Sequence, residues 1–124
     1  MDRIQIFGRR DSAATGRALR FFKERRLQTS FVDISLRPPA PAELRRFIQG
    51  LGMDAILDRA GRAYREAGLA FLVMDERGLI ERVGRDTDLL ALPLVRWGDR
   101  TSAGPAESVW RGWLTEVRGT EARR

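Results

Sequence analysis

The first apolar positions alternate with polar ones. Ile4 and Ile6 are interleaved with Arg3 and Gln5, and Phe7 closes a run that predicts a short strand. The stretch Gly8-Arg9-Arg10-Asp11-Ser12 breaks the alternation, and Asp11 or Ser12 can cap a helix. Ala14, Ala18, Phe21, Phe22 and Arg25 then recur at helical spacing, which predicts a helix to about Arg26. Phe31, Val32 and Ile34 form a second strand, and a right-handed crossover makes the two strands parallel. Arg37-Pro38-Pro39-Ala40-Pro41 is a stiff loop with Pro41 suited to a first helical turn. Leu44, Phe47, Ile48 and Leu51 mark an amphipathic helix that Gly50 or Gly52 stops. Short helical pieces follow at Ile56 and Leu57, at Ala63, Tyr64 and Ala67, and at Leu79, Ile80 and Val83. A strand from Leu92 to Trp97 begins at a proline, Gly98-Asp99 supplies a hairpin turn, and Arg100 to Ala103 returns. After Gly104-Pro105 a last helix carries Val109, Trp110, Trp113, Leu114 and Val117.

The order β-α-β, helical insertion, β-β-α predicts an α/β fold with a mixed four-stranded sheet of thioredoxin type. The length suits one core, so the expectation is a single domain over residues 1–118 with its insertion at about 41–90. Residues 119–124 are expected to fray. With 43% hydrophobic residues the chain is not of a disordered type. No apolar run approaches the roughly 18 residues of a membrane span. The start lacks a secretory pattern, so the expected location is the cytoplasm.

Charge and missing residue types narrow the chemistry. The net charge is +6 and Lys23 is the sole lysine, so the positive charge is almost wholly arginine. That fits either an arginine-favouring composition or loose polyanion binding; specific nucleic-acid recognition is not expected. There is no cysteine and no histidine. Disulfides, thiolate metal sites and a thiol nucleophile of its own are therefore excluded. Gly8, Gly16, Gly61 and Gly68 are too scattered for a phosphate loop, and no cofactor or metal is expected. Asp75, Glu76, Glu81 and Asp86 sit among Arg77, Arg82 and Arg85 and read as surface ion pairs. Trp97, at the hairpin tip beside Arg96 and Arg100, is expected to be exposed and able to contact a base or a partner protein.

Several colinear stretches resemble one family. Pro38-Pro39 through Leu44-Arg45, on to Leu51-Gly52-Met53-Asp54-Ala55-Ile56-Leu57 and Ala63-Tyr64-Arg65-Glu66-Ala67-Gly68-Leu69, resemble the helical insert of the arsenate reductase–Spx (ArsC/Spx) family. Leu92-Pro93-Leu94-Val95, Ala103-Gly104 and the final helix with Trp110 follow in the same order. The likeness runs from Ile4 to about Leu114 and is weakest between Ala70 and Leu90. It implies a thioredoxin-like fold whose reactive cysteine opens the first helix. Ser12 stands at that position, and Thr15 where the redox-regulator branch has a second cysteine. Leu92 replaces the arginine before the family proline, and Ala60 replaces an arginine of the insert, although Arg59 and Arg62 lie nearby. Pro93 matches the family proline, usually cis, and Arg100 falls close to another oxyanion arginine.

A helix N-terminus lowers a thiol's pKa and attracts oxyanions, but a serine hydroxyl gains almost nothing from that field. Ser12 therefore reads first as an N-cap. Arg9 and Arg10 either build an anion site with the helix end and Arg100 or form a solvated loop. The leading expectation is a non-catalytic binding or regulatory module; the Spx likeness implies the RNA polymerase α subunit as a protein partner. The alternative is an oxidoreductase relative keeping a small-oxyanion or glutathione site without its own thiol. Its lining would come from Ser12, Thr15, Pro93 and at least two of Arg9, Arg10, Arg59, Arg62 and Arg100. A third reading is a structural relic with no surviving site.

Overall fold

Strand β1 (Ile4–Gly8) lies inside a four-stranded sheet in the computed structural model, which describes residues 3–122. The strand order is β2-β1-β3-β4, with β2 Thr29–Asp33, β3 Leu94–Trp97 and β4 Arg100–Ala103. β1 pairs parallel with β2, Ile6 opposite Phe31, and antiparallel with β3, Phe7 opposite Leu94. β3 turns through Gly98-Asp99 into β4, so the expected mixed sheet is the one observed. Ile34, assigned to the second strand from its apolar character, falls just beyond β2 in the following turn; it is buried there all the same.

Alternation along β1 divides the interior into two cores. Ile4 and Ile6 point to one side with Val95 and Trp97 of β3. They meet Ala18, Phe21 and Phe22 of helix α1 (Ala13–Glu24) and Trp110, Trp113 and Leu114 of helix α5 (Glu107–Ala122). Trp110 packs against both phenylalanines, with ring centroids 5.4 and 5.3 Å away, and its indole N–H donates to Ser102 Oγ at 2.8 Å. Phe7 and Leu94 point to the other side. They lie under α2 (Pro41–Leu51), α3 (Arg62–Glu66) and α4 (Glu76–Arg85), the helical insertion expected at 41–90. The result is three layers with β1 as the seam.

One sequence expectation changes, and one alternative is settled. Trp97 is 3% exposed, not a projecting tip residue, because the strand period places it with Val95 on the α1–α5 face. Of the two glycines expected to stop α2, Gly52 does so, with φ 90 and its N–H on Ile48 O at 2.7 Å. Gly50 instead lies inside the helix where a Cβ would overlap the Thr101 side chain, so it lets α2 press close to β4. Helix α5 extends to Ala122, and Thr120 Oγ1 donates to Glu116 O at 3.0 Å; residues 123–124 of the expected tail lie outside the described residues. Among the described residues no helix is long and apolar enough to cross a membrane.

The junction of β1 and α1 is unusually close. A Cβ on Gly8 would overlap the Thr15 side chain, which is itself 0% exposed. The Thr15 hydroxyl is buried and has no hydrogen-bond partner among the described residues. Two substitutions at this contact should therefore move stability in opposite directions. Gly8→Ala should lower it by about 1–3 kcal/mol through overpacking. Thr15→Val should raise it by about 1 kcal/mol by removing an unsatisfied hydroxyl. Thermal denaturation of both variants reads the signs, and a Thr15→Val protein that melts below wild type would show that the hydroxyl has a partner.

Candidate functional site

Past Gly8 the chain turns sharply into α1. The Ser12 N–H donates to Arg9 O at 3.1 Å, and Ser12, with φ −84 and ψ 117, takes the N-cap position. Its hydroxyl oxygen accepts the Thr15 N–H at 3.2 Å. Ser12 is thus engaged in holding its own helix end, as its residue type favours. Thr15, three residues on, faces Gly8 in the interior and is fully buried. Pro93 is buried, follows a cis peptide bond after Leu92, and comes just before the Leu94 that pairs with Phe7. It is therefore at the Ser12 end of the sheet, where its carbonyl accepts the Gly104 N–H at 3.0 Å.

The arginines expected to converge here are dispersed. Arg9 leans toward the insertion, where its guanidinium pairs with Asp88 and lies 3.8 Å from Asp11. Arg10 turns the opposite way, 3.8 Å from Asp33 and 5.3 Å over the Phe31 ring. The Asp33 carboxyl is held below the usual carboxylate range, first by hydrogen bonds from the Ser35 hydroxyl and N–H and then by the Arg10 and Arg9 charges. Arg59 is exposed on the turn before α3. Arg62 opens α3 and pairs with Glu66 at 2.6 Å. Arg100 does not join the set. The β3–β4 register carries it to the hairpin end of the sheet, opposite Trp97, where it binds Glu116 of α5 at 2.9 Å.

Ser12's loop and the insertion enclose an open cleft of ≈ 800 Å³. Arg9 and Arg62 line it, but so do Asp11, Asp58, Glu66, Asp86 and Asp88. Five carboxylates against two arginines make this an acidic surface, and each arginine already faces a carboxylate. An incoming oxyanion would have to displace those partners and meet net repulsion. Among the described residues no group of three or more acidic side chains is arranged to hold a metal ion. Asp86 and Asp75, read as surface charges in the sequence, cap helical turns through Asp88 N–H at 3.1 Å and Gly78 N–H at 2.8 Å. Asp58, Glu66 and Asp88 carried no sequence signal. Asp88 lies 79 residues from Arg9, and only the fold brings them together.

The model of the ArsC family matches residues 11–112. Among solved structures, the YFFB protein is 26% identical with a TM-score of 0.71, the match covering 82% of this chain and 90% of that one. An arsenate reductase from Vibrio cholerae is 19% identical at a TM-score of 0.76, over 87% and 95% of the two chains. An arsenate reductase (ArsC) related protein from Brucella melitensis is 16% identical at 0.65, over 91% and 95%. No curated protein matches the sequence. With its mixed thioredoxin-like sheet, its helical insertion and a family match over most of its length, the chain belongs to the ArsC family, as a member without cysteine.

Proposed function

We propose that this protein is a non-catalytic member of its family that works by binding, not by transferring electrons. The chain has neither cysteine nor histidine, so it offers no thiolate and no imidazole base. An alcohol with no adjacent base is a poor nucleophile near neutral pH. The observation that carries the reading is the state of Ser12: its hydroxyl caps α1, beside a cleft whose carboxylates outnumber its arginines. The same charge balance weighs against a small-oxyanion or glutathione site at this end of the molecule.

A binding role of this kind calls for a macromolecular partner in the cytoplasm. The family likeness makes the RNA polymerase α subunit the first candidate. Support for a protein partner comes from the segment between α3 and α4, where Phe71 and Val73 are 92% and 103% exposed and Leu72 is half exposed. Consecutive exposed apolar residues of this size are uncommon on a monomer's surface away from interaction sites.

Amide-resolved NMR tests both halves. Titration with sodium arsenate, then with reduced glutathione, into the millimolar range should leave the amides of residues 12–16 and 61–66 unshifted. Saturable shifts there would transfer the assignment to the oxyanion or glutathione reading. Addition of purified RNA polymerase α subunit should broaden the amide resonances of 69–74, and unchanged spectra would remove that partner.

A further inference from the structure

One face of the sheet carries two cross-strand rows of opposite character. Val32, Phe7, Leu94 and Ala103 stand opposite one another across all four strands and form an apolar row under the insertion. Two residues along, the same face carries Ser30, Gln5, Arg96 and Thr101, again one from each strand. Paired residues share a face, so this second row is polar from edge to edge. Arg96 stands within it, half buried. Its Nη1 donates to Gln5 Oε1 and its Nε to Gly98 O, both at 3.0 Å. Those two bonds fix the guanidinium plane, and among the described residues its other N–H groups have no hydrogen-bond partner. Among the described residues it has no carboxylate partner, and neither has Arg46 on α2.

Three adjoining concavities of ≈ 210, ≈ 320 and ≈ 510 Å³ meet at Arg96 and make one groove between α2 and this end of the sheet. Arg46 forms one wall and Arg3 stands at the other end. Among the described residues two carboxylates touch the groove. Glu43 is spent on the Ala40 N–H at 2.7 Å and on Arg37 at 3.3 Å, which leaves Asp99 at the hairpin tip. We propose that this groove binds a phosphate group, with Arg96 and Arg46 as its principal contacts. An arginine held on a strand with its fork already oriented loses little freedom on binding an oxyanion. The Thr101 hydroxyl and the Gln49 amide line the same concavity as Arg96 and Arg46, and these donors together suit the several oxygens of a tetrahedral oxyanion. The site is remote from Ser12 and needs no thiol, so it stands whether or not the non-catalytic reading does.

Inorganic pyrophosphate and a single-stranded oligothymidylate serve as probes, the first for small organophosphates and the second for a polynucleotide backbone. At least one should give saturable shifts of the Gln5, Arg96 and Gly98 amides that weaken with added salt. Arg96→Gln and Arg46→Ala should each weaken binding about tenfold, as loss of a charge-assisted hydrogen bond does. Asp99→Asn should tighten it, and Arg17→Ala on α1 should leave it unchanged. Arg46 is exposed, so its variant stays informative even where Arg96→Gln perturbs the sheet. Binding of pyrophosphate or of the oligonucleotide with this pattern supports the site and names the source of the phosphate. The absence of saturable shifts at these amides with both probes overturns it, as does an affinity that Arg17→Ala lowers as much as Arg46→Ala.

Discussion

A five-residue strand with a period of two constrains most of what this molecule does. β1 has neighbours on both edges, so each of its side chains must commit to one face. Ile4 and Ile6 go to the α1–α5 core, where the tryptophans gather. Phe7 goes to the insertion and meets Phe47 edge to face, with centroids 5.6 Å apart. Gln5 shares Phe7's face but lies beyond the insertion's apolar cover, and it orients Arg96. Gly8 ends the strand without a side chain, which lets α1 begin directly above it and sets Ser12 where it is. A shift of one residue in this strand would exchange both cores and dismantle both concave surfaces.

The same frame distributes charge unevenly between the two ends of the sheet. At the Ser12 end Arg9 is answered by Asp88 of the insertion and Arg10 by Asp33 of β2, so the positive charge that the sequence concentrates at Arg9-Arg10 is quenched or turned aside. At the hairpin end Arg96 and Arg46 stand in a groove and, among the described residues, have no such partners. A chain with an excess of arginine thus has an acidic surface at the helix terminus and a basic one where the strand pattern turns polar.

The fold was largely legible in the sequence because its signals are local. Alternation at Ile4 and Ile6, the spacing of Ala18, Phe21 and Phe22, and the Gly98-Asp99 turn each specify an element without reference to the rest. Ser12 as an N-cap was readable for the same reason, since a cap depends on residues within one turn. The candidate site was less legible because its character depends on pairs far apart in the chain. Nothing near Arg9 announces Asp88, and nothing near Gly50 announces Thr101. Trp97 shows strand period outweighing position at a turn: it alternates with Arg96 and joins Val95 in the α1–α5 core. The polar row at Arg96 has a sequence signal only when four strands are aligned in register, and that register is a property of the folded sheet.

Without cysteine this chain supplies no thiol to pass electrons from glutathione to an oxyanion. The most direct measurement follows NADPH oxidation with purified protein, arsenate, glutathione, glutaredoxin and glutathione reductase. The consumption should equal that of the mixture without the protein. A rate that rises in proportion to the amount of protein added would contradict the account.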